Sequence, residues 1–400
     1  MSQTPRLKVR LTKGAETAIR KGHPWIFADR IKQRNREGAI GETVVVYDHN
    51  NKFLAVGLYD PNSQIAIRVL HSGEPLTIDD AWWTAHLAKS LAPRLAAFGP
   101  ETNGYRCING ESDGWPGLVL DRYADHAVVK IYTASWLPLL PKITELVKAQ
   151  LNPASLTLRL SRNVKEAAKT HSNLTEGPLF GSPPSPVVFS ENGILFEADV
   201  LKGQKTGFFL DQRDNRQRVE RLAHGKDVLN AFSFSGGFSL YAARGGAERV
   251  VDLDFSQHAL ESSRRNFELN RRNPVISRAQ HECIQADAFQ WMESGPPRKF
   301  DLIICDPPSL AIREEQRNTA AVAYQRLNTA ALARLKRNGI LVAASCSAHV
   351  SAEEFFTAIR RAAHHNGRRW RELWLSGHAL DHPSTIPEAR YLKCIAIQLD

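Results

Sequence analysis

VLNAFSFSGGFSLYAARGGAERVVDLD, residues 228–254, decides the fold. VLNAFSF has the apolar and aromatic character of a strand, Gly236-Gly237 mark a tight turn, FSLYAAR steps helically to Gly245-Gly246, and RVVDLD is a second strand. Two strands joined through one helix make a βαβ unit, which sets them parallel in one sheet. The alternation continues downstream: SQHALESSRRNFELN reads as a helix, ECIQADAF, FDLIICDPP and GILVAASCS as strands, and TAAVAYQRLNTAALARL as the helix between the last two. Residues 189–400 are therefore expected to form an α/β domain around a doubly wound, mostly parallel sheet.

Upstream the pattern changes. Short strand-like runs, LKVRL, ETVVVYD, FLAVGLYD and QIAIRVL, are separated by Gly, Asn and Pro-Asn and predict a small β-barrel over residues 1–73. Residues 78–188 mix a helical WWTAHLAKSLAPRLAAF, strand-like HAVVKIY and SLTLRL, and a helical LPLLPKITELVKAQL, predicting a small α+β domain. Its end, GPLFGSPPSPVVFSENG, is rich in Pro and Gly and is the clearest boundary in the chain.

The formal net charge is +10 over 400 residues. The basic residues are spread out rather than gathered in a tail, so a polyanionic partner is expected, nucleic acid first. No apolar run approaches the ~18–20 residues of a membrane helix, and MSQTPRLKVRLTKGAETAIRKG has no signal-peptide core. A cytoplasmic protein with no membrane partner is expected. The cysteines, at 107, 283, 305, 346 and 394, form no C-x-x-C pair, so neither a disulfide framework nor a metal site is expected.

In doubly wound sheets, ligands bind beyond the carboxyl ends of the strands. Five successive strands deliver usable groups there: Asn230, Phe232 and Ser235-Gly236-Gly237, then Asp254-Phe255-Ser256, then Asp287-Ala288, then Asp306-Pro307-Pro308, then Ser345-Cys346-Ser347. The glycine pair lets the backbone approach a ligand closely. The turn is not G-x-G-x-x-G and lacks a P-loop lysine, which disfavours a nucleoside triphosphate, a dinucleotide and hence a dehydrogenase. Asp254 stands where an acid accepts both hydroxyls of a ribose; the alternative is an N-cap for the helix beginning near Ser256. Asp287 is placed to accept an adenine amino hydrogen or to cap the segment after it. Ribose, adenine and no phosphate grip describe S-adenosylmethionine, so methyl transfer is the leading chemistry. The expected cofactor set is these residues of the first three strand ends together with Gln212, Asp306 and Pro307.

Asp306 and Cys346 leave the fourth and fifth strands, which are neighbours in the usual order of such sheets. A thiolate that adds to carbon 6 of a pyrimidine makes carbon 5 nucleophilic, and an acid at N3 lowers the cost of that addition. Cys346 is read as the nucleophile and Asp306 as the N3 partner, although a lone cysteine on an apolar strand is also a common core residue. His349, nearby arginines and a cofactor's sulfonium are the candidates to favour the thiolate, and the sequence does not choose among them. Cys305, inside IIC, reads as core; Cys107, Cys283 and Cys394 read as structural.

Taken together, GQKTGFFLDQRDNR (203–216), residues 228–270, FDLIICDPPSL (300–310), GILVAASCS (339–347) and DHPSTIPEARYLK (381–393) resemble the bacterial 23S rRNA cytosine-C5 methyltransferases of the class I, S-adenosylmethionine-dependent type. KGHPWIFADRI (21–31) and NGESDGWPGLVLDRY (109–123) match that family's other two parts. The resemblance implies an N-terminal PUA domain that binds RNA, a central α+β domain and a Rossmann-like methyltransferase domain. It also implies that Cys346 attacks carbon 6, that Asp306 contacts the base, and that the partner is 23S rRNA, free or in an assembling subunit. Other RNA 5-methylcytosine enzymes carry a second cysteine after the proline of the fourth-strand motif. Pro308-Ser309 stands here, which leaves open the base that takes the carbon 5 proton.

Lys205, Phe208 and Arg213, with Pro308, are the expected substrate contacts near the reacting base, since aromatic rings beside polar donors suit a nucleoside. An amphipathic docking segment is the alternative for that stretch. In the first domain Lys21 and Trp25, beside Lys13, Arg20 and Arg30, are the expected RNA contacts, with Trp25 alternatively a core anchor. The rival functions are an enzyme of the same fold that methylates a nitrogen through the DPP motif alone, and a non-catalytic RNA-binding assembly factor. The sequence leaves a homodimer open.

Overall fold

The computed structural model describes residues 5–172 and 174–400. They form two compact units: the first runs to Phe189 and takes back Ala198–Phe208, and the second holds Ser190–Glu197 and Phe209–Asp400. Among the described residues no helix is long and apolar enough to cross a membrane.

The first unit opens with β1 (Leu7–Leu11), α1 (Lys13–Arg20), β2 (Trp25–Phe27), β3 (Ile31–Arg34), β4 (Thr43–Tyr47), β5 (Phe53–Tyr59) and β6 (Ile65–Ser72). The six strands lie in the order β2-β6-β5-β4-β1-β3. Alternation along β1 sends Leu7, Val9 and Leu11 into a core with Val44, Val46, Leu54 and Ile67. The helix α1 lies in a stretch read as strands and turns only. Ile19 is its one buried apolar side chain, and one position leaves little helical period to detect.

The unit continues through α2 (Asp80–Ala97), β7 (Gly104–Asn109), β8 (Leu118–Tyr123), β9 (His126–Ile131), α3 (Leu140–Leu151), β10 (Ser155–Leu160), α4 (Arg162–Ser172) and β11 (Gly177–Phe180). These strands make a second sheet, β11-β10-β9-β8-β7, whose core gathers Trp83, Trp115 and Trp136 among leucines. The Pro- and Gly-rich boundary stretch is only partly a linker. Its start is β11, an edge strand antiparallel to β10, and its end enters β12 (Val187–Glu191), which pairs with β13 (Ile194–Ala198). Proline is tolerated at such edges because no ladder needs its missing N–H.

Ala198–Phe208 returns to the first unit for a local reason. Thr206 Oγ1 donates to Asp121 Oδ2 at 2.5 Å and lies 2.9 Å from the Tyr123 hydroxyl, which also accepts the Phe208 N–H at 3.2 Å. Asp121 is wholly buried and is gripped by the Arg106 guanidinium at 2.8 and 2.9 Å.

The second unit contains α5 (Arg213–Glu220), β14 (Asp227–Ala231), α6 (Gly237–Arg244), β15 (Arg249–Asp254), α7 (Gln257–Leu269), β16 (Gln280–Gln285), α8 (Ala288–Ser294), β17 (Phe300–Cys305), α9 (Arg317–Ala333), β18 (Leu335–Ser345), α10 (Ala352–His365), β19 (Trp370–Ser376) and β20 (Lys393–Leu399). Its sheet runs β16-β15-β14-β17-β18-β20-β19. The first five are parallel and β20 is antiparallel to both its neighbours. Strand order reverses between β14 and β17, so the ligand crevice of this sheet belongs there. β17 and β18 are neighbours as expected, with Cys305 opposite Ala343, which brings the residues after both strands to the same rim. Apart from the polar edge strand β16, these strands are largely buried apolar runs, and Leu229, Val251, Ile303 and Leu341 share one core.

Candidate active site at the strand ends

The turn after β14 is held in a costly conformation. Phe232 and Phe234 have φ of 58° and 47°, a region that bulky side chains rarely enter, and Gly236 has φ 74°. A Cβ on Gly236 would lie 2.2 Å from Ser263 Oγ. The glycine is thus required by packing against the protein, a different reason from the ligand approach expected of it. Gly237 opens α6. Asn230 Oδ1, Ser233 Oγ and Ser235 Oγ are buried here and find no hydrogen-bond partner among the described residues. Each such atom costs ~1–3 kcal/mol, and three at one strand end suit a site completed by a bound molecule.

Beneath the turn lies a polar cluster around Asp252. Its Oδ1 accepts from Ser239 Oγ and from Asn230 Nδ2 at 3.3 Å; its Oδ2 accepts from Ser263 Oγ and lies 2.8 Å from His281 Nε2. The His281 ring stacks on Phe267 and sits 3.7 Å from Cys283 Sγ. Burial opposes charge on that imidazole, but the bonds to Asp252 and Cys283 win and raise it to about 9. Asp252, His281 and Cys283 are close enough to share a metal ion, yet the carboxylate is already engaged by two hydroxyls and an amide.

Asp254 accepts the Phe234 N–H at Oδ2 and the Ser256 N–H at Oδ1, each at 2.8 Å. It is not the N-cap of α7. That role belongs to Ser256, whose hydroxyl accepts the Ala259 N–H. Phe255 between them is 77% exposed, an aromatic face in the open beside the carboxylate. Asp287 is exposed and caps α8 through Gln290 N, while Ala288 is buried against the core.

Asp306 is half-buried where β17 ends, followed by a buried Pro307 and an exposed Pro308. Its Oδ2 accepts from Gln212 Nε2 at 3.0 Å. Gln212 is held in turn: its Oε1 accepts from Asn215, whose Oδ1 accepts from Ser376. Gln212, expected among the cofactor contacts, thus gives one of its two amide N–H groups to Asp306.

The SCS motif divides its labour. Ser345 and Ser347 are wholly buried, and Cys346 between them is half-exposed. Ser345 Oγ donates to the Tyr324 hydroxyl at 2.8 Å, and that hydroxyl is also 2.8 Å from Ser347 Oγ. Ser347 Oγ accepts the Leu310 and Ala311 N–H groups and lies 3.1 Å from Ser309 Oγ. The serines thereby tie the end of β18 to the loop that follows Asp306. Tyr324, on α9, carried no signal beyond one more aromatic on a helix. His349, a candidate to activate Cys346, is paired instead with Glu314 at 3.2 Å. Cys305 is core, as expected, and burial pushes its thiol up to about 12.

Two expected substrate contacts are buried among protein partners. Arg213 is 2% exposed; its guanidinium grips Asp381 at 2.9 and 3.0 Å and sits 3.4 Å from Glu191, which Arg216 also holds. Phe208 is 3% exposed and packs edge-on against Phe189 in the first unit, so its ring offers no face to a base. Lys205 is half-buried in that unit with φ 52°, and its carbonyl accepts from Lys130. Lys21 is exposed after α1. Trp25 is half-buried, with its indole N–H donated to Glu111 at 3.0 Å.

Residues 9–72 match the PUA-like domain family, and residues 167–364 match the S-adenosylmethionine-dependent methyltransferase family. A Deinococcus radiodurans protein named ribosomal RNA large subunit methyltransferase is 53% identical over 410 residues, covering 100% of this chain and 99% of its own. This chain belongs to the ribosomal RNA large subunit methyltransferase family. An Escherichia coli member named ribosomal RNA large subunit methyltransferase I is 35% identical over 401 residues, 97% of this chain and 98% of its own. Among solved structures, one described as a SAM-dependent methyltransferase from Streptococcus mutans superposes with a TM-score of 0.79 at 22% identity, over 98% of this chain and 99% of its own. A second solved methyltransferase, complexed with SAH, does so with a TM-score of 0.81 at 23% identity over the same shares. These two share the fold. In this family member the α/β sheet is thus the Rossmann-like methyltransferase sheet, the N-terminal domain is PUA-like, and the cofactor is S-adenosylmethionine.

Proposed function

We propose that this member of the ribosomal RNA large subunit methyltransferase family forms 5-methylcytosine in 23S rRNA, with Cys346 adding to the base. The observation that carries the reading is a half-exposed cysteine and a half-exposed aspartate leaving neighbouring parallel strands, with two buried serines bracing the loops that bear them. Cys305 and Cys394 are buried and Cys283 lies beside His281 in the Asp252 cluster, whereas Cys346 stands at the strand-end rim beside Asp306.

Asp254, Phe255 and Ser256, with the turn from Asn230 through Gly237 and the segment Asp287-Ala288, would hold the cofactor; Asp306 and Pro307 border it. When bound, S-adenosylmethionine supplies an electrophilic methyl group. The protein's own part begins with the Cys346 thiolate forming a bond to carbon 6. Asp306 in its acid form donates its proton to N3, which offsets the charge that this addition pushes onto the ring, and carbon 5 gains enamine character. After carbon 5 is methylated a base takes its proton, the C–H electron pair re-forms the 5,6 double bond, and the carbon–sulfur bond breaks with its electron pair leaving on the thiolate.

The basic PUA-like domain, including Lys21, supports RNA as the polyanion, and residues 1–73, 78–188 and 189–400 are read as the RNA-binding, central and catalytic parts of a cytoplasmic enzyme. The test is trapping. RNA bearing 5-fluorocytidine cannot lose a proton from carbon 5, so with S-adenosylmethionine it should give a covalent band on a denaturing gel with wild type and none with Cys346→Ala. Full methylation by Cys346→Ala would overturn the reading, and a product methylated on nitrogen would replace it with the DPP-only chemistry.

A further inference from the structure

Cys346 needs something to favour its thiolate, since an ordinary thiol with a pKa of ~8.5 is only a few per cent ionised at neutral pH. Of the groups the sequence offered, His349 is engaged with Glu314. The structure offers a different cation. Lys393 is the first residue of β20 and pairs across the ladder with Ser345, the residue before Cys346. Its side chain is folded inward, 2% exposed, and its ammonium donates to the carbonyl of Ser347, the residue after Cys346. One lysine therefore binds the chain on both sides of the cysteine, through its backbone and through its Nζ. Lysine in the interior is rare unless its charge is used.

We propose that Lys393 is the positioning residue that holds Cys346 as a thiolate, a role that rests on and deepens the reading of Cys346 as the nucleophile. Among the described residues, charged or titratable groups face this pair from several elements: Asp306 from the end of β17; Glu354, already paired with Arg317, from α10; and Tyr324, whose hydroxyl joins both serines, from α9. Burial lowers the Lys393 ammonium, the charges of Cys346 and then Glu354 oppose it, and the balance stands at about 8. The coupling is mutual: an ammonium supported by the thiolate lowers the thiol to the same extent. Lys393 keeps its proton at neutral pH, where the reaction runs, and gives it up as pH rises past about 8.

The experiment measures alkylation of Cys346 by iodoacetamide between pH 5 and 10, read by mass spectrometry on the peptide that carries it. Wild type, Lys393→Met and Lys393→Arg are compared as full chains without RNA or methyl donor. Lys393→Met is expected to raise the midpoint by at least about one pH unit, cutting the rate near pH 7 by about tenfold. Lys393→Arg keeps a cation and should keep the midpoint within a few tenths of a unit. Should Lys393→Met fail to fold, Lys393→Gln takes its place with the same expectation. A neutral variant with the wild-type midpoint, or an equal rise in the arginine variant, would overturn the proposal. Because alkylation needs no pyrimidine, a failed fluorocytidine trap beside a normal lysine effect would sink the nucleophile reading and leave this pair standing.

Discussion

Tyr324 makes the lock on the SCS motif vulnerable to the loss of one atom. Its hydroxyl is 2.8 Å from both Ser345 Oγ and Ser347 Oγ, and Ser347 in turn holds Leu310 and Ala311 in the loop after Asp306. Tyr324→Phe leaves ring packing against Phe355 in place and removes only the hydrogen bonds, worth ~0.5–1.5 kcal/mol each. We expect a fall of a few degrees in Tm and a loss of at least about tenfold in single-turnover methylation; an unchanged rate would show that the serines do not position Cys346. Gln212 separates two roles in the same way. Its amide donates to Asp306, so Gln212→Leu is expected to lower kcat while leaving S-adenosylmethionine affinity by calorimetry within about twofold. If affinity drops and kcat stays, Gln212 is a cofactor ligand and the hydrogen bond to Asp306 is secondary.

At the scale of elements, β15, β16 and α7 are joined by the Asp252 cluster, and its histidine makes that junction depend on pH. Below about 6.5 the His281 ring is charged in folded and unfolded chains alike, and its bonds to Asp252 contribute in full. Between 6.5 and about 9 the unfolded chain gives up the proton that the folded chain retains, so the contribution falls, and above about 9 it is gone. The Tm gap between wild type and His281→Gln should thus be largest at pH 6 and close by pH 9.5, which melts across that range will check; a gap that does not change with pH would remove the charge from the account. The elements themselves were legible in the sequence to very different degrees. Parallel strands buried on both faces are apolar runs stopped by a polar residue, so the ends at Asn230, Asp254, Asp306 and Cys346 stood out. α1 did not, with Ile19 its one buried apolar side chain. The burial of Arg213 and Phe208 was not legible because charge and aromaticity are visible in a sequence and partners are not: Asp381 is 168 residues from Arg213, and Phe189 packs on a ring that sits in a polar neighbourhood of the chain. Lys393 was visible only as the last letter of a motif, since nothing local says that β20 lies beside β18.

For the molecule as a whole, the order of residues along the chain is not the order of the two units. The sequence boundary at 188/189 follows the Pro and Gly, but the first unit is completed by Ala198–Phe208, which lies beyond it. Cutting just after Phe189 removes Thr206, a partner of both Asp121 and Tyr123, and strips Phe208 from Phe189. Burial already pushes the Tyr123 phenol well above its usual range, so it stays neutral and needs a hydrogen-bond partner. Losing one costs ~1–3 kcal/mol, and exposing a phenylalanine costs a further ~1.5–3 kcal/mol. At ~2–4 °C per kcal/mol for a unit of this size, a fragment of residues 1–189 should melt on the order of 10 °C below one of residues 1–209, as circular dichroism would record. Equal melting temperatures would mean that the returning segment is carried by the first unit without stabilising it. The expected difference would instead make Thr206 and Phe208 folding residues of the first unit, held by Asp121, Tyr123 and Phe189.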